Sequence, residues 1–363
     1  GTKKLKVFMK NKIYFLIPLY QVFLVIFASY FYITETNDSR SYYAIATNLP
    51  KLSNSLFPIL YPSFLKFFYF FWGDFFVASK LINITCILLF FLLTNMYVKE
   101  WKLIWLFSLS WFFTSIFIYS WSEILLIPLF TILFILQRKY WNNEINNPLV
   151  VTLSNSTVLF FLFLAKYSML YIIIGTLFFG ILMYLYTKNK KHLLFIYSSF
   201  ISSFLCGIYL YINYITTGYF TGNREALGEI STNIRLSLYN TLQTANPFWG
   251  NLLGRSPYIL VIFIFVVLTV IYFKRILKIW KDEKIENLYF IFISLIYLFL
   301  LWISYFNTKI DVLGIRLLFP FCFLFFTGII ANNIKIKYFY KYLIIIISVL
   351  QIFISFNRTN QYF

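Results

Sequence analysis

Long apolar runs separated by short polar segments repeat along this chain. They lie at 13–33, 75–98, 103–119, 123–136, 150–165, 169–186, 193–215, 257–273, 288–305, 313–330 and 342–356. Most are near the length a helix needs to cross a bilayer, so the pattern predicts an all-α, polytopic membrane protein of about eleven spans. Two polar interruptions are long, 34–74 and 216–256. In the first, Tyr42, Ile45, Ala46 and Leu49 recur at helical spacing from Ser39, predicting a short helix at the membrane surface that Pro50 ends. A second surface helix opens at Tyr61-Pro62 and runs through Phe71, rich in aromatics. The second interruption carries Gly218, Gly222 and Gly228 near its start and a helix expected over 230–242, the pattern of a lid or substrate platform.

Composition removes the soluble alternatives. With 61% hydrophobic and 12% charged residues, 363 residues hold too little polar surface for a water-exposed globule, and mean hydropathy is +0.78. One membrane domain over 1–363 is expected: a first module at 13–215, the outer segment 216–256 and C-terminal spans at 257–363. A net charge of +19 raises nucleic acid as a partner, but the Lys and Arg sit in clusters between spans, where they act as topology signals. Lys3, Lys4, Lys6, Lys10 and Lys12 precede the first run, which lacks a small-residue cleavage site, so that span is expected to start in the cytoplasm uncleaved. In this orientation roughly two thirds of the 31 basic residues fall on cytoplasmic segments. Both long interruptions then lie outside. Cys86, Cys206 and Cys322 fall inside apolar runs with neither disulfide nor metal-ligand spacing, and read as packing residues.

The twelve acids are few enough to weigh singly. Asp38 stands at the membrane boundary and is a candidate base, while either it or Asn37 is a candidate N-cap of the following helix. Glu123 opens a span at its outer end, where the helix dipole favours a carboxylate and apolar surroundings mark an ionisable group as a functional candidate. Arg316, a turn inside a late span, needs an anion. Asp311 is one partner; the alternative is that Lys166, Arg224 and Arg316 converge on a phosphate, which guanidinium groups grip well. The single histidine, His192, falls in a Lys-rich cytoplasmic segment and reads as a surface residue, leaving no imidazole for the outer face. No Gly-Lys-Ser/Thr phosphate loop occurs, so energy is expected to come from the substrate.

Asp38-Ser39-Arg40-Ser41-Tyr42-Tyr43 in the first outer segment, Tyr61-Pro62 farther along it, Ser122-Glu123 opening a span, and Arg316 with Pro320 in a late span together resemble the GT-C superfamily of integral membrane glycosyltransferases. The likeness is to bacterial relatives of protein mannosyltransferases and aminoarabinose transferases. The resemblance implies an inverting glycosyltransferase in the bacterial cytoplasmic (inner) membrane with its active site on the outer face. Its donor would be a sugar on a polyprenyl phosphate, its acceptor a hydroxyl of a glycan, lipid or protein, and its other partners membrane lipids. Asp38 matches the catalytic acid and Glu123 a secondary acidic position. Arg40, Tyr42 and Tyr43 would contact substrate, and Lys166, Arg224 and Arg316 the donor phosphate. A divalent cation, Mg or Mn, is the one cofactor implied, although no paired-acid metal motif is present. Alternatives are a polysaccharide polymerase or glycan ligase, which would rely on arginines, and a lipid-linked glycan flippase, which would carry charges at mid-membrane.

Overall fold

The structure, a computed structural model, describes residues 2–52, 54–98, 104–105, 108–109, 111–222, 241, 285–307 and 315–331. These residues form helices, in chain order α1 (Thr2–Phe31), α2 (Asn37–Asn48), α3 (Leu60–Trp72), α4 (Phe75–Tyr97), α5 (Trp111–Ile118), α6 (Leu126–Trp141), α7 (Pro148–Ala165), α8 (Leu170–Thr187), α9 (Leu193–Thr217), α10 (Ile285–Asn307) and α11 (Ile315–Ala331). Among the described residues, six stretches are long and apolar enough to cross a membrane: Phe75–Tyr97, Ser122–Trp141, Pro148–Ala165, Tyr167–Thr187, Lys190–Thr217 and Leu288–Tyr305. Phe15–Phe31 and Ile315–Gly328 are shorter apolar helices. The described residues are all-helical, and their long apolar helices make the chain an integral membrane protein. The expected spans at 257–273 and 342–356 and most of segment 216–256, with the helix expected at 230–242 apart from Thr241, lie outside the described residues.

Two of the shorter runs, 123–136 and 150–165, belong to helical stretches of spanning length. The run at 123–136 continues through Trp141, because charged side chains lay their apolar stems along neighbouring rings. Arg138 lies 5.9 Å from the Phe134 ring centroid and Lys139 4.4 Å from that of Tyr97. The run at 150–165 begins at Pro148, where Asn147 accepts bonds from the Leu149 and Val150 amides, a proline-first start that exposes no orphan amide.

Burial inverts the soluble pattern. On α9, Phe200, Phe204, Ile208, Tyr211 and Ile215 are exposed while Ser198, Ser199, Ser202, Cys206 and Asn213 are buried. Between helices in lipid the apolar drive is absent, so close approach and hydrogen bonds hold the interface. Ser198 Oγ donates to the Thr152 carbonyl of α7 at 3.3 Å. A denser aromatic centre ties four helices together: Phe113 of α5 meets Phe319 and Phe323 of α11 at 5.4 and 5.6 Å, and Phe323 also meets Phe90 of α4 and Phe130 of α6. Such ring pairs add to plain contact. Their consequence is to fix α11, and with it Arg316, against the α5–α6 connection.

The two surface helices lock to each other and to the bundle. Tyr42 of α2 packs between Phe57 and Tyr61, with ring centroids 4.6 and 5.0 Å away. Lys66 of α3 donates to the Thr47 and Leu49 carbonyls at 3.1 and 3.0 Å, placing a cation at the negative end of α2. The opposite face of α3 exposes Phe67, Phe70, Phe71 and Trp72, as befits a helix lying at a lipid boundary. Farther along, buried Ser55 joins the α2–α3 connection to the end of α9. Its Oγ donates to the Tyr219 carbonyl at 3.0 Å and accepts from the Gly222 amide at 3.2 Å, and its carbonyl accepts from Tyr167 Oη at 2.9 Å. Gly222, at φ +80°, comes so close to Leu56 that a Cβ would meet its Cα at 2.9 Å, so only glycine fits there.

At the other end of the bundle, Lys191 Nζ donates to Asn143 Oδ1 at 2.6 Å. His192, expected on the surface, is fully buried there. Its ring lies 5.1 Å from Trp141 and 6.4 Å from Phe195, because the turn that opens α9 tucks it between the helix ends. The three cysteines are buried and form no disulfide with one another, as befits packing residues.

Candidate active site

Asp38 owes its position to the start of α2. Thr36 is the N-cap, in extended conformation, and forms a reciprocal pair with Ser39: Thr36 Oγ1 accepts from the Ser39 amide at 3.4 Å, and Ser39 Oγ accepts from the Thr36 amide at 3.0 Å. This corrects the expected cap at Asn37 or Asp38. With Thr36 satisfying the orphan amides, Asp38 sits in the first turn, favoured there by the dipole, and its carboxylate is free for another partner. Two contacts fasten this turn to the α5–α6 connection: Ser39 Oγ donates to the Ser120 carbonyl at 2.9 Å and Trp121 Nε1 to Thr36 Oγ1 at 3.1 Å.

That connection is itself held by buried polar groups of α4. Lys80 Nζ donates to the Ile118 carbonyl at 2.8 Å and to Ser120 Oγ at 3.0 Å; Asn83 Nδ2 donates to the Phe117 and Tyr119 carbonyls at 2.7 and 2.9 Å. The last carbonyls of a helix lack intrahelical partners, and an ammonium and an amide satisfy them here. Sequence reasoning passed over Lys80 and Asn83. Their signal was a cation and an amide three apart within an apolar run, hence on one helical face.

Beyond this brace four charges converge. Arg316, in the first turn of α11, donates through Nη1 to Asp38 Oδ2 in an ion pair and through Nε to Glu123 Oε1 at 3.2 Å. Lys166, in the one-residue break between α7 and the turn that opens α8, donates to Glu123 Oε1 at 2.6 Å and to the Arg316 carbonyl at 2.8 Å. The guanidinium also lies over Trp121, 5.0 Å from the ring centroid, a cation–π contact that holds its plane. Exposure is graded across the cluster: the Glu123 side chain is fully buried, that of Lys166 is 12% exposed, and those of Arg316 and Asp38 are 24% and 23% exposed. Two carboxylates and two cations balance, which lets a buried charge survive. Burial pulls the Lys166 ammonium below its usual range, and the Glu123 carboxylate opposes that pull.

The expected residues divide accordingly. Asp38, Glu123, Lys166 and Arg316 meet in one cluster. Tyr42 is buried behind it: its hydroxyl pairs with Ser122 Oγ at 2.9 Å, and Ser122 Oγ donates to Glu123 Oε2 at 3.4 Å, so it braces the cluster from beneath. Burial, with the Glu123 charge in support, raises its phenol above the ordinary range. Tyr43 lies to one side, stacked on Phe75 at 5.7 Å and donating to Ser79 Oγ at 3.4 Å. Burial pushes its phenol up to about 12, so it stays protonated at physiological pH. Arg40 is exposed on the same helix. Arg224 and Asp311 lie outside the described residues, and Arg316 finds its anions in Asp38 and Glu123.

The donor set does not suit Mg or Mn. Both carboxylates bind the guanidinium of Arg316, and among the described residues no three His, Cys, Asp or Glu stand together as a metal site. Hard divalent cations demand several oxygen ligands in octahedral array. What the arrangement can do is hold a carboxylate at an accessible edge beside two cations, a pairing suited to proton removal next to a departing anion. Comparison with known proteins finds no matching family, no matching curated protein and no matching solved structure.

Proposed function

We propose that this chain is an inverting glycosyltransferase that moves a sugar from a polyprenyl-phosphate donor to an acceptor hydroxyl at the outer face of the membrane. The observation that carries the reading is the accessible Asp38 carboxylate joined to Arg316, with Lys166 beside it and Glu123 beneath. In the reaction, the acceptor O–H gives its proton to Asp38 as its oxygen forms a bond to the anomeric carbon. The bond from that carbon to the phosphate oxygen breaks on the far side, and the prenyl phosphate departs with the bonding pair. Arg316 and Lys166 stabilise the negative charge that gathers on the phosphate. A phosphate leaving group is already a weak base, so one carboxylate suffices where glycoside hydrolysis uses two. Proton transfer of this kind contributes about 10²–10⁴-fold in rate.

The surroundings suit a lipid donor. Helix α3 packs on α2, which carries Asp38, and turns its other, aromatic face outward, so a prenyl tail in lipid along α3 and its head at Asp38 are within one molecule's reach. The test is to supply the purified chain, in liposomes, with prenyl-phosphate sugars and a panel of glycan, lipid and peptide hydroxyls. The reading predicts release of prenyl phosphate with a glycoside of inverted anomeric configuration. Retention of configuration, or no release from any donor, rules it out.

A further inference from the structure

The charge balance of the cluster raises a question: a phosphate entering a neutral set of two acids and two cations adds net negative charge, which displacement of an acid would relieve. The two acids are not equally placed to yield. Glu123 is fully buried and receives both Lys166 Nζ at 2.6 Å and Arg316 Nε at 3.2 Å. Stripping a buried carboxylate of its cations leaves an uncompensated charge, a severe penalty. Asp38 is about a quarter exposed, as is the guanidinium it faces. An ion pair that water can reach is weak and is readily replaced.

We infer that Asp38 is an exchangeable counter-ion, giving up Arg316 to an incoming phosphoryl group while Glu123 keeps hold of the same guanidinium. The geometry supplies the means. Glu123 occupies the Nε edge and Asp38 an Nη nitrogen, so the edge released is one that can grip phosphate oxygens. Lys166 ties the Arg316 carbonyl at 2.8 Å, and Trp121 lies under the guanidinium plane; both keep Arg316 in place during the exchange. Resting on the donor-phosphate reading proposed above, the exchange gives that site a gate: Asp38 Oδ2 is freed for the acceptor proton only when a phosphate has taken its place on Arg316. Glu123 is then a positioning residue.

The consequence is counter-intuitive and measurable. An Asp38→Asn chain, devoid of transfer, should bind phosphate better than the native one. Affinities for a prenyl monophosphate and for inorganic phosphate would be measured by calorimetry on the full chain in phosphatidylcholine nanodiscs, with Asp38→Ser as a second variant and thermal melts to show that each is folded. The expected gain is about fivefold, the scale of a partly exposed ion pair, and Asp38→Asn with Arg316→Ala should bind no tighter than Arg316→Ala alone. A gain with both ligands assigns the exchange to the phosphoryl group itself; a gain with the prenyl ligand alone assigns it to the lipid-borne group. Unchanged or weaker binding by the folded variants, or a gain that survives loss of Arg316, overturns the exchange. Neither ligand carries a sugar, so a gain in Asp38→Asn beside a native chain that transfers sugar from no donor would sink the transferase reading and leave the exchange standing. Active transfer without the gain would do the reverse.

Discussion

Arg316 Nη1 donates to Asp38 Oδ2 across 278 positions of sequence, joining the first surface helix to the last described one. Several other polar features bear on that contact. Thr36 and Ser39 set the turn that presents Asp38, the aromatic centre sets the height of α11, and Glu123 with Lys166 sets the guanidinium.

Glu123 is predicted to matter first for stability. Its loss leaves Lys166 and the Nε of Arg316 without their carboxylate, which costs about 3–5 kcal/mol for a buried pair. Glu123→Gln should lower the apparent melting temperature in detergent, and Glu123→Gln with Lys166→Met should lower it less than the two single effects combined. Strict additivity would show that the two do not interact.

Lys80 is predicted to be a brace. Lys80→Met leaves the Ile118 carbonyl and Ser120 Oγ without the ammonium, about 1–3 kcal/mol for a buried acceptor left unsatisfied. Amide exchange over 119–121 should quicken and the melting temperature fall. Unaltered exchange there would mean that the connection is held without Lys80.

The proposed orientation makes its own forecast. With the native cysteines buried, a membrane-impermeant maleimide added to intact cells should label Arg40→Cys, while Asn189→Cys should react only after permeabilisation. The reverse pattern would put Asp38 on the cytoplasmic side.

Helices were the legible part of this sequence, because span length and hydropathy are local properties. The expected run at 75–98 became Phe75–Tyr97 and that at 193–215 became Leu193–Thr217. Burial of Tyr42, Ile45 and Ala46 on one face of α2 likewise follows from spacing alone. Partner choice was not legible. Asp311 was a natural candidate for Arg316 because it is near in sequence, whereas Asp38 becomes a neighbour only through packing of α5 and α11. The cap was missed because Thr36 pairs with Ser39, where the familiar signature has Glu or Gln. Lys80 and Asn83 escaped notice because their partners are backbone carbonyls, which no residue type announces. His192 looked exposed among lysines, but a turn of three residues suffices to bury it.

The most direct measurement is the initial rate of sugar transfer from a prenyl-phosphate donor by Asp38→Asn, in liposomes, per mole of protein shown to be folded by its melt. The amide keeps the shape of the side chain and cannot take the acceptor proton. Loss of at least about a hundredfold in rate, with the melt near that of the native chain, is the predicted result. Transfer at the native rate would contradict it, leaving Asp38 only a partner for Arg316.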